Sequence, residues 1–247
     1  MIKKKILCTG TILSLLLLSR LYSTPHGDPI EDPYKKSLIE YAERKAEEKR
    51  NSKAFEDNLI SFAEEDFPLE DQRVKRRLDK YLSRLSFKRH QSYRLHRQAE
   101  KHLPQITEIL KSYDIPEDFK YIPLVESGLD PRILSHKGAG GYWQFMPATA
   151  RLYGLKVNGS VDERRNLIKS THAAAKYLKS LYNKFGDWTL VAAAYNVGEG
   201  SLQSSMRRQK ENNYFKLSLN AETASYVYKL VSMKEIIEKP EKYGYSI

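Results

Sequence analysis

From Asp71 onward, apolar residues recur at a helical period, broken by prolines that can open helices and glycines that can close them. Val74, Leu78, Tyr81, Leu82 and Leu85 fall on one face of a helix. Leu95, Leu103, Ile106, Ile109 and Leu110 define a second helix, punctuated by Asp114 and Pro116. Pro116 opens a short helix through Phe119, Tyr121, Ile122 and Val125, since its missing N–H would be unpaired in a first turn. Pro123 inside that segment demands a kink or a late start. Pro147–Tyr153 ends at Gly154. Ser170 or Thr171 caps Ala173–Phe185 before Gly186. Asp187 caps Trp188–Asn196 before Gly198, and Glu222–Glu238 ends at Pro240. No stretch alternates as a half-buried strand does, and there is no internal repeat. The expectation is an all-α domain.

Ahead of that domain the chain changes character. Lys3, Lys4 and Lys5 precede the uncharged apolar run Ile6–Leu18, which is short for a membrane span and reads as an export signal over 1–23. Leu21-Tyr22-Ser23 is a poor cleavage site, so an uncleaved membrane anchor is the alternative. Residues 24–70 open with Pro25, Gly27, Pro29 and Pro33, then become highly charged through Tyr34–Asn58. Few large apolar residues recur there, which suits a tether or a loosely held helix rather than a packed domain. The packed domain is expected over 71–247. Cys8 is the one cysteine and lies inside the apolar run, without the small residues before it that lipid attachment needs. An exported mature chain would therefore offer no disulfide, cysteine-ligated metal or thiol nucleophile.

The formal net charge of +11 suggests a polyanionic partner such as nucleic acid, anionic lipid or a cell wall rich in carboxylates and phosphates. No basic region, zinc finger or RNA-reading aromatic motif accompanies it, which disfavours nucleic acid. Much of the charge is spread along helices, where a solvated face is the simplest reading.

Acid/base work on a glycosidic bond needs a carboxyl still protonated near neutral pH, and apolar surroundings provide that. Glu126 follows Tyr121-Ile122-Pro123-Leu124-Val125 and precedes Ser127-Gly128, which puts a carboxyl at the end of an apolar helix where the chain turns. Alone, it would more often be a surface or capping glutamate. Gly138-Ala139-Gly140-Gly141-Tyr142-Trp143-Gln144-Phe145-Met146-Pro147 adds glycines that permit close backbone approach to a ligand, aromatics suited to sugar faces, and an amide able to bond sugar hydroxyls. Ala194-Tyr195-Asn196-Val197-Gly198-Glu199-Gly200 puts a phenol and an amide at a helix C-terminus.

These segments, with Asp162-Glu163-Arg164-Arg165 between them and Glu222-Thr223 and Tyr226-Val227 after them, occur in an order that resembles the lytic transglycosylases of glycoside hydrolase family 23. The resemblance covers roughly Asp71 to Val231. It implies a lysozyme-like, soluble lytic transglycosylase type of catalytic domain. It also implies that Glu126 is the acid and then the base, and that Gln144 and Asn196 bind substrate near the scissile bond. Tyr195 would lie against the carboxyl, with Tyr226 nearby; Ser127 and Met146 complete their motifs on the substrate side. Asp162-Glu163-Arg164-Arg165 would form a structural salt-bridge cluster, leaving Glu163, Glu199 and Glu222 non-catalytic.

Three positions depart from the family pattern. Tyr142 stands where a small or branched aliphatic residue is usual, Ala150 replaces a frequent glycine, and Asn166 replaces a frequent aspartate. The carbohydrate-binding repeats that often follow such a domain are not expected within the residues after Val227.

The implied partner is peptidoglycan, met in the periplasm or elsewhere in the envelope, with no nucleic acid and with the N-terminal segment as the one candidate for membrane attachment. The implied reaction cuts the β-1,4 bond between N-acetylmuramic acid and N-acetylglucosamine and closes a 1,6-anhydro ring, with no metal or other cofactor. A single carboxyl in a catalytic-looking motif is consistent with assistance by the substrate's own acetamido group, since a conventional glycosidase carries two carboxylates. The alternatives are a hydrolytic muramidase on the same scaffold and a non-catalytic peptidoglycan-binding protein.

Overall fold

A computed structural model describes residues 40–47, 60–90 and 92–247. The export signal over 1–23 lies outside the described residues. The chain divides into two compact units, Met1–Asp57 and Asn58–Ile247. In the first, residues 40–47 are helical and exposed. Among the described residues no helix is long and apolar enough to cross a membrane.

The second unit is helical, as the apolar period requires. Helix α1 (Gln72–Leu85) is capped by Asp71, whose side chain accepts from Arg73 N, and buries Val74, Leu78 and Leu82 at four-residue intervals. A single turn, α2 (Phe87–His90), precedes α3 (Arg94–Lys111). The buried face of α3 is His96, Ala99, Leu103, Ile106 and Leu110, while Leu95 and Ile109 lie only partly covered at its edges. After Pro116 the chain makes a 3-10 turn (Glu117–Tyr121) and then α4 (Ile122–Ser127). Pro123 falls in the first turn of α4, so the awkward proline marks a late start and no kink is needed.

Helix α5 (Pro147–Leu152) is followed by a 3-10 turn (Glu163–Arg165) and α6 (Leu167–Phe185). Then come α7 (Trp188–Val197), α8 (Glu199–Gln209), a 3-10 turn (Thr223–Ser225), α9 (Tyr226–Glu238) and a last 3-10 turn (Pro240–Tyr243). Thr189, Leu190, Val191, Ala192, Ala193 and Ala194 of α7 are all buried, and α6, α8 and α9 pack around it. A helix apolar on every side belongs at the centre of a helical layer, and this one is its axis.

Several boundaries differ from expectation for identifiable reasons. Helix α6 starts before Ser170 and Thr171: Asn166 caps it by accepting from Lys169 N at 3.0 Å, and the two hydroxyls bond back to the carbonyls of Asn166 and Leu167. The last helix is broken at its start, because Thr223–Ser225 tightens into a 3-10 turn before α9. Helix α8 has little apolar periodicity to announce it and buries only Leu202.

The packed region also begins before 71. Strands β1 (Ser61–Phe62) and β2 (Glu65–Asp66) pair antiparallel around Ala63 and Glu64, both at positive φ. Phe62, Ala63 and Phe67 are buried in the core. Asp118 accepts from Ala63 N at 2.8 Å and pairs with Lys234 at 2.9 Å, which binds the hairpin to the 3-10 turn before α4 and to α9. The tether reading therefore fails for residues 60–70. The all-α reading stands, with this two-residue ladder and three isolated bridges as the β structure among the described residues.

Candidate active site

Helix α4 delivers Glu126 to the site. Tyr121, Ile122 and Leu124 are each no more than 2% exposed, so the helix is anchored by its apolar face. Gly128 ends it in the left-handed conformation at φ 59°, donating to the carbonyl of Leu124. At the penultimate position of the helix, the Glu126 carboxyl sits among buried groups. Tyr226, at the first position of α9 and 1% exposed, donates its hydroxyl to Glu126 Oε1 at 2.5 Å.

Burial is the largest influence on Glu126 and raises its pKa above the ordinary carboxyl value. The Tyr226 hydrogen bond and the Lys229 ammonium oppose the rise, and the Glu222 carboxylate reinforces it; the net direction is upward. Tyr226 itself is held firmly neutral, by burial first and then by the charge of Glu126. The site thus pairs a carboxyl prone to hold its proton with a phenol that stays a donor.

Tyr195 lies near the carboxyl without bonding to it. It is close enough for Glu126 to raise its pKa further after burial, but its hydroxyl donates to the Trp143 carbonyl at 2.7 Å. Tyr226 occupies the bonding position beside the carboxyl, and Tyr195 braces the loop that carries Trp143. Asn196, at the end of α7, uses both ends of its amide: Oδ1 accepts from Thr223 Oγ1 at 2.8 Å and Nδ2 donates to Glu222 Oε1 at 3.3 Å. Glu222, expected to be non-catalytic, is a second carboxylate in the electrostatic field of Glu126.

The glycine-aromatic loop has a different physical basis from the one expected. Arg164, 5% exposed, fixes it from beneath. One guanidinium nitrogen donates to the carbonyls of Gly138 and Phe145, each at 2.8 Å, while the other two nitrogens grip Asp162 at 2.8 Å. Gly141 lies at φ 75°, and a Cβ there would stand 2.0 Å from the Arg164 carbonyl oxygen. The close approach that this glycine permits is to Arg164 and not to a ligand. The charged cluster is structural as expected: Arg165 also reaches Asp162 at 3.8 Å, and Glu163 pairs with Lys169 at 2.5 Å.

On this loop Gln144 adopts a positive φ of 48°. Its Nε2 donates to the carbonyls of Ile133 and Gly141 at 3.0 and 2.9 Å, and among the described residues its amide oxygen has no partner. Met146 is 43% exposed at the start of α5. Ser127 is buried and shares its hydroxyl proton between the carbonyls of Tyr142 at 2.8 Å and Pro123 at 3.0 Å. It pins the loop to α4 and does not face outward. Trp143 is fully buried with Nε1 donating to Thr171 Oγ1 at 3.0 Å, a core residue and not a sugar platform.

The site defines an all-α domain built around one desolvated glutamic acid, a neutral phenol bonded to it and a rim of amides. Residues 105–218 match the family model of the transglycosylase SLT domain. The chain is 34% identical over 180 residues to membrane-bound lytic murein transglycosylase D of Escherichia coli K12, covering 71% of this chain and 39% of that protein. It is 32% identical over 147 residues to a putative tributyltin chloride resistance protein of Alteromonas sp. M-1, covering 58% of this chain and 71% of that one. Among solved structures, the 70 kDa soluble lytic transglycosylase of Escherichia coli is similar at 18% identity with a TM-score of 0.48, over 68% of this chain and 29% of that one. The chain belongs to the transglycosylase SLT-domain family.

Proposed function

We propose that the protein is a peptidoglycan lytic transglycosylase with Glu126 as its single acid and base. The observation that carries this reading is the Glu126 carboxyl, raised in pKa by burial and bonded by a neutral Tyr226. Such a carboxyl can protonate the oxygen bridging N-acetylmuramic acid and N-acetylglucosamine. The acetamido oxygen of the muramyl residue then attacks its own anomeric carbon as that bond breaks. Glu126, now ionised, takes the proton of the same sugar's 6-hydroxyl as its oxygen displaces the acetamido oxygen and closes the 1,6-anhydro ring. The proton given in the first step returns in the second, and no water is consumed. Tyr226 holds the carboxyl in place and stabilises its ionised form between the steps. The free amide oxygen of Gln144, the thioether of Met146 and the amide of Asn196 form the substrate-facing rim, with Ser127 and Tyr195 bracing it.

The N-terminal run Lys3–Leu18 supports action outside the cytoplasmic membrane, in the periplasm or on the envelope. Digestion of purified peptidoglycan followed by mass analysis of the released ends tests the whole reading: anhydro ends are expected. Glu222 gives one specific ground for a hydrolytic muramidase, since a second carboxylate near the acid could direct a water. Reducing ends in the same digest would establish that alternative, and no release at all would end both.

A further inference from the structure

Immediately beyond Glu126-Ser127 the chain turns through Gly128 and Leu129, both at φ 59°, and Asp130 N donates to the Ser127 carbonyl at 3.2 Å. The Asp130 side chain is only 13% exposed, yet two arginines gather over it. Arg132 accounts for most of its acceptor capacity, with its backbone N at 2.9 Å and two guanidinium nitrogens at 3.0 and 2.9 Å. This grip holds the Asp130 pKa down at about 2, so the carboxylate is ionised at any working pH. Arg94, the first residue of α3, stands 3.7 Å from the same carboxylate, too far for a hydrogen bond.

The arrangement is charge-unbalanced. One tucked carboxylate aligns two guanidiniums whose side chains are 54% and 84% exposed. A Cβ on Gly128 would lie 3.9 Å from an Arg94 guanidinium nitrogen, so Arg94 leans over the turn that leaves the acid. Tyr142 lies near the same carboxylate. The Asp130 charge raises its phenol pKa after burial does, its carbonyl accepts from Ser127, and its ring meets His102 at 5.9 Å. His102 lies two turns along α3 from Arg94, on the same helix face. The result is a short cationic lane over the turn that follows the acid, with an aromatic residue close to it at the position where this chain departs from its family's pattern.

We propose that Arg94 and Arg132, aligned by Asp130 and close to Tyr142, bind the carboxylates of the peptide stem carried by the muramyl residue. This rests on the peptidoglycan reading of the site. The stem is the anionic group tied closest to the bond Glu126 would cleave, and guanidiniums with unspent donors suit carboxylates. Asp130 is a positioning residue: it sets the spacing of the arginines and does not touch the stem.

Binding is measured with Glu126→Gln protein, so that contact is read apart from turnover. The probes are soluble glycan strands with intact stems, and the same strands after their stem carboxylates are converted to amides. Glu126→Gln should bind intact strands about tenfold more tightly than amidated ones, with a preference that shrinks as salt rises. Adding Arg94→Gln and Arg132→Gln should erase the preference, whereas adding Lys75→Gln and Arg76→Gln on α1 should preserve it. Equal affinity for both strands, binding to neither, or an equal loss from the α1 pair would overturn the inference. A failure of the catalytic reading would look different: the parent protein would release no anhydro ends while the charge preference persisted.

Discussion

Tyr226 donates its hydroxyl to Glu126 Oε1 across 2.5 Å, joining the start of α9 to the end of α4 although the residues are 100 apart in sequence. The bond favours the ionised carboxyl, so it works against the burial that raises the Glu126 pKa. Tyr226→Phe removes only that hydroxyl. The folded pKa of Glu126 should rise further, because the anion loses its donor. The alkaline limb of the pH–rate profile should therefore move to higher pH, and the maximal rate should fall about ten- to a hundredfold, as the ionised intermediate loses a charge-assisted hydrogen bond. Peptidoglycan turbidity assays across pH would check both. A limb that stays put or moves to lower pH would mean that Tyr226 does not govern the acid.

Burial of Glu126 has a stability consequence with a definite sign. Its folded pKa lies above the unfolded value of roughly 4.3, so the native state holds the proton more tightly. The resulting stabilisation is fully present below the unfolded pKa and is lost as pH rises through the folded pKa. Glu126→Gln, which cannot ionise, escapes that loss. Relative to the parent, the variant should gain stability from pH 4 to pH 7 while losing all cleavage. Thermal melts at the two pH values measure it. A parent that is favoured more at pH 7 than at pH 4 would identify Glu126 as a charged structural partner.

Much of the helical frame was legible because it is written in local terms. The four-residue spacing of Val74, Leu78 and Leu82, the Pro123 first turn, and the Asp187 cap accepting from Leu190 N are decided within a few residues. The apolar run before Glu126 likewise announced a desolvated carboxyl. What local pattern could not supply was long-range pairing. Nothing in the order of Tyr195 and Tyr226 says which phenol reaches Glu126 and which braces Trp143, since that depends on how α7 and α9 pack. The hairpin at Ser61–Asp66 was hidden for the same reason: its stability comes from Asp118 and Lys234, far along the chain. Arg164 was legible as part of a charged cluster, but its hold on the carbonyls of Gly138 and Phe145 was not.

The glycines of the loop divide into strict and permissive positions. Gly141→Ala would place a Cβ 2.0 Å from backbone that cannot swing aside, so it should cost about 3 kcal/mol or more and disturb the Gln144 rim. Gly138→Ala carries a positive φ of 85° but meets nothing within 4 Å, so only the conformational cost of about 1–2 kcal/mol applies. Urea unfolding of the two variants gives the comparison. Equal losses would show that the close approach at Gly141 is relieved by movement of Arg164.

Arg164 is the residue whose replacement should separate charge from shape. Its guanidinium nitrogens face two ways, toward both oxygens of Asp162 and toward two loop carbonyls, all at 2.8 Å. Arg164→Lys keeps the charge but has one ammonium, which cannot span the carboxylate and both carbonyls from a single point. It should lose about 2 kcal/mol, because the Gly138 carbonyl loses its donor and the Phe145 carbonyl keeps only Gly140 N. Arg164→Gln also leaves the Asp162 carboxylate with only the looser Arg165 contact at 3.8 Å, so its loss should be greater, about 3 kcal/mol. Asp162→Asn added to Arg164→Gln should then cost little more, since the close partner is gone and only the looser Arg165 contact remains to be lost. Activity should fall in Arg164→Lys even at temperatures where it is fully folded, because the loop bearing Gln144 loses its fixed register. Urea titrations of the single and double variants, paired with rates on peptidoglycan at low temperature, test each step. If Arg164→Lys matches the parent in both stability and rate, the charge alone holds the loop and the planar fork is dispensable.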